Sequence, residues 1–338
     1  MRSARIQQAG LEHDLVIEER RDPEPTDNQV VIEVEACGVC HRDLIDRAGR
    51  FPFMVTPITP GHEAVGRVIA RGGDVTEWQV GDRVASMHRD FCGECGPCKQ
   101  GEISLCQSAA SVLGLIIDGG YSQRLLAPEH CFYRMPDSLD AAQAAVLHCT
   151  FGTAFRGLSH FGQLGAGQHA LITGANGGVG SAAVQIARRL GADVTAVVRD
   201  VSHRGFLEEL GATRVLVDDG GGFHKRLDGE QADVVLDCVG QATFNASLRS
   251  ARVGGRVVVV GNVMADKAQL NLGYLITRGI QLIGSSGATR ANMVGLLALH
   301  EAAPFSIPID RSLPLDEADA AQRAVAAGGL RGRIVLRP

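Results

Sequence analysis

A chain of 338 residues with 45% apolar and 21% charged side chains has room for two domains and enough apolar surface for a substantial core, which excludes a disordered or fibrous protein. Its 33 basic and 38 acidic residues leave a formal charge of −5 scattered along the chain, so no basic stripe is present to track nucleic acid. The longest strongly apolar run, about 257–261, falls far short of the roughly 18 residues a membrane span needs, and residues 1–10 lack the apolar segment of a secretory signal, so a cytoplasmic protein is expected.

In chain order, the first third reads as short strands between Pro- and Gly-marked turns, with apolar residues on alternate positions at 30–35, 64–70 and 83–86. Within it Cys92, Cys95, Cys98 and Cys106 form a C-x2-C-x2-C-x7-C run broken by Gly93, Gly96, Pro97 and Gly101. Thiolates this close repel unless a cation neutralises them, and soft ligands on a tight loop suit tetrahedral Zn²⁺. A nucleic-acid zinc ribbon and an iron–sulfur cluster are the rivals; the first normally has basic flanks, and only Lys99 is basic here. With every position filled, a metal in this lobe, 90–108, staples the loop and does no chemistry.

From about residue 169 the pattern becomes strand, glycine turn and amphipathic helix, repeated. Strands are expected at 169–173, 193–198, 214–217, 233–237, 256–260 and 280–284, with helices at 179–190 and 203–210. Six strands with crossovers predict an α/β fold with a doubly wound parallel sheet of the Rossmann type. Beyond 284 the regularity fades, and the tail, with Pro304, Pro308, Pro314 and a strand at 333–337, has the texture of the first third. The expected division is therefore 1–147 with 288–338, and 148–287.

The strand at 169–173 runs into Gly174-Ala175-Asn176-Gly177-Gly178-Val179-Gly180. Gly177 lets the backbone approach a pyrophosphate, Gly180 permits close packing of helix on strand, and the helix N-terminus offers free N–H groups to the anion. A tight turn without a ligand is the alternative, and the strand-to-helix setting favours the cofactor. Where an NAD enzyme carries an acidic residue, the second strand ends in Val198-Arg199. A guanidinium there partners a 2′-phosphate, so NADP(H) is favoured over NAD(H); if the strand runs further, Asp200 binds the ribose 2′-hydroxyl instead.

Three other segments hold single ligand types: Cys40 in Gly38-Val39-Cys40-His41-Arg42-Asp43, His62 in Gly61-His62-Glu63, and Cys149 in Leu147-His148-Cys149-Thr150. Each alone reads as a buried cysteine or a core histidine. Together with the nucleotide turn and the cysteine lobe, they make the whole chain resemble the zinc-containing medium-chain dehydrogenase/reductase superfamily, alcohol dehydrogenase type. The resemblance implies a discontinuous, β-rich GroES-like catalytic domain beside the Rossmann domain. It implies a catalytic zinc on Cys40, His62 and Cys149 with an open fourth position, Glu63 beside the metal as a transient ligand, and Asp43 orienting His62. Thr153 and Val179 match positions near the nicotinamide, and His41 and Arg333 match positions at the cofactor phosphates. Two Zn²⁺ per chain, NADP(H), a small carbonyl or alcohol substrate in the cleft between the domains, and a homodimer or homotetramer are implied with them.

One departure stands out. Alcohol dehydrogenases of this type carry Ser or Thr two residues after the first zinc cysteine, and many carry His five after it; here those residues are Arg42 and Ile45. A guanidinium stays charged and isoleucine has no exchangeable proton, so the usual proton relay is missing. Either Arg42 makes a structural ion pair with Asp46 while water carries protons, or it binds an anionic or thioester substrate whose activated C=C bond is reduced. The Cys-x-Arg-Asp run resembles the acryloyl-CoA reductase branch of the superfamily, which makes reduction of an enoyl C=C bond the alternative to hydride transfer between NADP(H) and a carbonyl or alcohol. A catalytically inactive NADPH-binding structural protein is a third reading, opposed by the presence of Cys40, His62 and Cys149. Cys37, Cys131, Cys238, His88, His130, His148, His160 and Trp78 are read as structural, with His148 the one nearest a ligand, and Arg249, Arg252 and Arg256 as solvated charges.

Overall fold

Alternating valine and isoleucine residues organise the first of two units. The computed structural model describes residues 1–108, 111–219, 221–264 and 266–338; the first unit takes in 1–148 and 308–338, the second 149–307. Strands β1 (Arg2–Arg5) and β2 (Val16–Glu19) form an antiparallel ribbon. The long β3 (Gln29–Val39) leads directly into α1 (His41–Arg47), followed by β4 (Glu63–Arg71), β5 (Arg83–Ser86), the single turn α2 (Gly96–Lys99), β6 (Arg124–Pro128), β7 (Phe132–Arg134) and α3 (Ala141–Val146). Val30, Ile32 and Val34 of β3 are buried in a core with Trp78, Leu125 and Phe132.

The second unit opens in a helical run containing α4 (Thr153–Phe155) and continues through β8 (His169–Thr173), α5 (Gly178–Arg189), β9 (Asp193–Val198), α6 (Arg204–Glu209), β10 (Arg214–Val217) and β11 (Ala232–Asp237). Then come α7 (Gln241–Ser250), β12 (Ala251–Val259), α8 (Leu272–Arg278), β13 (Gln281–Gly284) and α9 (Arg290–Ala302). Its six strands are all parallel, in the order β10-β9-β8-β11-β12-β13. The order reverses between β8 and β11, the switch point of a doubly wound Rossmann sheet. Strands at 169–173, 193–198 and 214–217 fall where their apolar pattern places them. β12 begins five residues before the expected 256, at Ala251, because it pairs with β11 through an irregular register that the apolar pattern does not carry.

The chain re-enters the first unit through β14 (Ile309–Pro314), α10 (Ala318–Ala327) and β15 (Arg333–Arg337). The return comes at 308 and not at the expected 288. Side chains on α5 hold the intervening segment to the second unit. Arg189 donates to the carbonyls of Leu299 at 3.0 Å and Pro304 at 2.8 Å, and Gln185 exchanges two hydrogen bonds of 2.9 Å with the backbone of Ser306. In the first unit the sheet order is β14-β15-β3-β4-β5-β7, with β6 on β3, which completes its sheet. Among the described residues no helix is long and apolar enough to cross a membrane.

The end of β11 is fixed by Asp237, which is fully buried. Its Oδ1 accepts from Thr173 Oγ1 at 3.0 Å, Val239 N at 3.0 Å, Gly240 N at 2.9 Å and Thr243 Oγ1 at 2.8 Å. Asp237→Ala leaves these donors without their acceptor, at a cost on the order of 3 kcal/mol. We expect thermal denaturation of the variant to show a midpoint lowered by several degrees, whereas a surface change such as Arg252→Ala leaves it within a degree or so of the parent.

Candidate functional site

Sheet register brings together a candidate metal centre. In the antiparallel pairing of β3 with β4, Gly38 lies opposite Glu63, and in that of β3 with β15, Val39 lies opposite Ile334. Cys40, His62 with Glu63, and Arg333 are therefore brought to one end of the sheet from three distant parts of the sequence. A side chain at position 38 would strike Glu63, since a Cβ there would meet Glu63 Oε2 at 2.1 Å. Ser86 of β5 pins the backbone at this end, accepting from Ala64 N and donating to the His62 carbonyl, both at 2.9 Å. Cys149 lies on the helical run that α3 begins, and α3 packs on β3 and β4. One ligand atom from each of Cys40, His62, Glu63 and Cys149 lies within 4.8 Å of all the others.

Asp43 orders this cluster. Its Oδ1 lies 3.0 Å from His62 Nδ1, and its Oδ2 accepts from Cys40 N and Tyr121 Oη, both at 2.9 Å. The imidazole thus turns Nε2 toward the sulfur ligands, as a carboxylate-held metal histidine does. Burial opposes charge on His62, but the Asp43 carboxylate outweighs it and holds the ring well above the ordinary histidine range. Glu63 is almost wholly buried; its Oε1 meets the Arg333 guanidinium, while Oε2 has no hydrogen-bond partner among the described residues. Burial pushes this carboxyl up to about 7 against the pull of Arg333. An orphaned carboxylate oxygen among two thiols and an imidazole nitrogen is a donor set that fits Zn²⁺.

Arg42 follows the cluster on α1. Its Nε donates to Asp46 Oδ1 at 3.2 Å, and its guanidinium lies 5.4 Å from the ring centre of Phe51. Burial pushes Asp46 up to about 6 despite that ion pair. His88 is held well below the ordinary range, first by burial and then by the Arg42 charge. His148 lies 6.0 Å from the His88 ring and 5.9 Å from that of Tyr133. Tyr121, Phe51 and Tyr133 were not visible as site residues in the sequence. None carries a motif, and only the fold brings them here.

The cysteine lobe passes a geometric test. A tetrahedral zinc with bonds of about 2.3 Å separates its sulfurs by about 3.8 Å; Sγ of Cys106 lies 3.6 Å from that of Cys92 and 3.9 Å from that of Cys95. All four sulfurs lie within 4.8 Å of one another. Backbone N–H groups of Cys95 and Glu94 pull the Cys92 thiol down to about 6, so it is ready to act as a thiolate.

In the second unit, the turn after β8 has the form an anion needs. Gly174 takes a φ of +56°, and a Cβ on Gly180 would meet the Gly174 carbonyl at 2.2 Å, so side chains are shut out at these two positions of the turn. Gly177, Gly178, Val179 and Gly180 start α5, whose first N–H groups no side chain caps. Thr153 on α4 and Val179 lie on helices that pack together. Arg199 is exposed directly after the last residue of β9, while Asp200 Oδ1 accepts from Ser202 N at 2.8 Å. His41 is the first residue of α1, and Arg333, matched by resemblance to a cofactor phosphate contact, has its guanidinium on Glu63.

Comparison with known proteins agrees with this anatomy. Residues 26–137 match the alcohol dehydrogenase GroES-like domain and residues 178–302 the zinc-binding dehydrogenase domain. An acryloyl-coenzyme A reductase from Metallosphaera sedula is 34% identical over 323 residues, covering 95% of each chain. An alcohol dehydrogenase from Geobacillus stearothermophilus is 31% identical over 343 residues, covering 100% of this chain and 99% of the other. The crystal structure of AibC superposes with a TM-score of 0.93 at 38% identity, covering 100% of this chain and 96% of that one. With the matched domains and relatives, a sheet register and a helix that assemble two thiols, an imidazole and a carboxylate lead to one conclusion: the chain belongs to the zinc-containing medium-chain dehydrogenase/reductase superfamily.

Proposed function

We propose that this oxidoreductase uses zinc and NADPH to reduce an activated C=C bond, in a substrate of the α,β-unsaturated acyl thioester class. The observation that carries the reading is Arg42, held by Asp46 and Phe51 where an alcohol dehydrogenase needs a group that passes a proton. A guanidinium donates hydrogen bonds to an oxygen-rich substrate but gives up no proton at working pH. Conjugate reduction puts a hydride on one carbon and a proton on its neighbour, so no alcohol proton has to leave. The 34% identity to an acryloyl-coenzyme A reductase supports this reading. Carbonyl and alcohol interconversion is the second reading. It is favoured by the Arg42–Asp46 pair itself, which can be structural, and by the Geobacillus relative.

Cys40, His62 Nε2 and Cys149 would hold the reactive zinc, and Cys92, Cys95, Cys98 and Cys106 a structural one. When bound, the first zinc polarises a carbonyl oxygen and the dinucleotide supplies the hydride. Asp43 keeps the His62 ring turned to the metal, and Arg333 neutralises Glu63 when that carboxylate is not a ligand. Arg199, with Asp200 turned to its own backbone, supports NADP(H) over NAD(H). β13 is the outer strand of its sheet, and Leu282 on it is exposed, as are Leu272 and Ile276 on the preceding α8. An apolar edge of this kind supports a homodimer. Thiol-rich metal sites suit the reducing cytoplasm.

Metal analysis of the purified protein should find two zinc ions per chain. Cys149→Ser should lose one of them together with all turnover, and Cys95→Ser should lose the other and unfold at lower temperature. A Cys149→Ser protein that keeps both ions and its activity removes the assignment. With NADPH, crotonyl and acryloyl thioesters should be turned over at least tenfold faster than short aldehydes. Arg42→Thr should lower thioester kcat/KM by roughly 20-fold, the loss of a charge-assisted hydrogen bond, while raising alcohol oxidation. Turnover confined to aldehydes sinks the C=C reading. Ile276→Asp combined with Leu282→Lys should convert the dimer to monomer in light scattering.

A further inference from the structure

One side-chain contact ties the loop after β9 to the glycine turn after β8: Asn176 Nδ2 lies 3.3 Å from His203 Nε2. Asn176 sits inside the glycine run, and His203 closes the single turn 201–203 that Asp200 caps, with Arg199 just before it. In a doubly wound sheet the adenosine ribose rests at the tip of the second strand, which here is β9. An imidazole is thus fixed between the phosphate-binding turn and the segment that would meet the ribose.

We propose that His203 is a second group for the cofactor 2′-phosphate beside Arg199, and that its contribution grows when the ring is protonated. The inference rests on the NADP(H) reading above and adds a residue and a pH dependence to it. A neutral ring accepts at Nε2 from the Asn176 amide N–H; a cationic ring donates there, and the amide turns over to offer its oxygen. Asn176 therefore keeps the ring in place in both states. Asp200 is electrostatically coupled to His203, but its Oδ1 is bound to Ser202 N. Arg204, next in sequence, lies 3.7 Å from Glu208. The glycine turn carries no charged side chain. At the end of the neighbouring β10, Asp218 is bound to Gly222 N, Phe223 N and Arg226, and Asp219 is exposed. A phosphate of nearly two negative charges suits a second cation beside Arg199.

The test is direct binding of NADPH and of NADH, by calorimetry and by quenching of protein fluorescence, between pH 8 and pH 6, the interval in which imidazoles gain their proton. For the parent protein, the preference for NADPH over NADH should rise about tenfold across this interval, as the ring N–H that Asn176 does not hold becomes a charge-assisted donor. His203→Asn should flatten that rise, and His203→Arg should hold the high preference at both ends. Protonation of the 2′-phosphate itself is common to all three proteins and cancels in the comparison. Identical pH profiles for the parent and His203→Asn overturn the inference while leaving NADP(H) in place. NADPH bound no more tightly than NADH at any pH removes the cofactor reading and this inference with it.

Discussion

The pairing of β3 with β4 is the constraint on which the rest of the site depends. Backbone hydrogen bonds set Gly38 against Glu63, and everything chemical at that end of the sheet is counted from this register. A slip of one residue would turn alternate side chains to the opposite face, carrying His62 and Glu63 away from Cys40. The register is guarded on both flanks: Ser86 clamps the backbone around His62, and Asp43 holds both the His62 ring and the Cys40 amide. The candidate ligands are therefore positioned by bonds within the protein itself, which is the condition for a rigid coordination site.

What could be read from the sequence follows from how each feature is encoded. The strands of the second unit were legible because a parallel sheet covered on both faces demands continuous apolar runs, and 169–173 or 193–198 supply them. The cysteine lobe was legible because its ligands are neighbours in the chain. Cys40, His62 and Cys149 were not legible by spacing: β-sheet register and a helix bring them together, and only the resemblance to a family pointed to them. Tyr121, which completes the coordination of Asp43, follows two glycines in a segment with no motif at all. The assignment of α9 to the wrong unit has the same origin. Its ties run from Arg189 and Gln185 to main-chain oxygens and amides, and no hydrophobic period records such bonds.

Charge is distributed differently in the two units. Around the metal cluster, buried carboxylates are kept in check one by one: Asp43 by His62 and Tyr121, Glu63 by Arg333, Asp46 by Arg42. Each pairing sets the orientation of a ligand or of its support, and the desolvation cost is offset locally. At the glycine turn after β8 the opposite holds: it carries no charged side chain, the start of α5 has no side-chain cap, and Arg199 beyond β9 is exposed.

The late return of the chain has a consequence for the order of events during synthesis. β15, residues 333–337, lies between β14 and β3, so the sheet that carries Cys40 has no closed edge until the ribosome has passed these positions. The parallel sheet of the second unit, finished by 284, has all its strands much earlier. A nascent chain would thus hold a mature dinucleotide fold while its first 148 residues still wait for their last strand. During that interval the thiols of Cys37 and Cys40 lie at the end of a β3 edge still without its β15 partner.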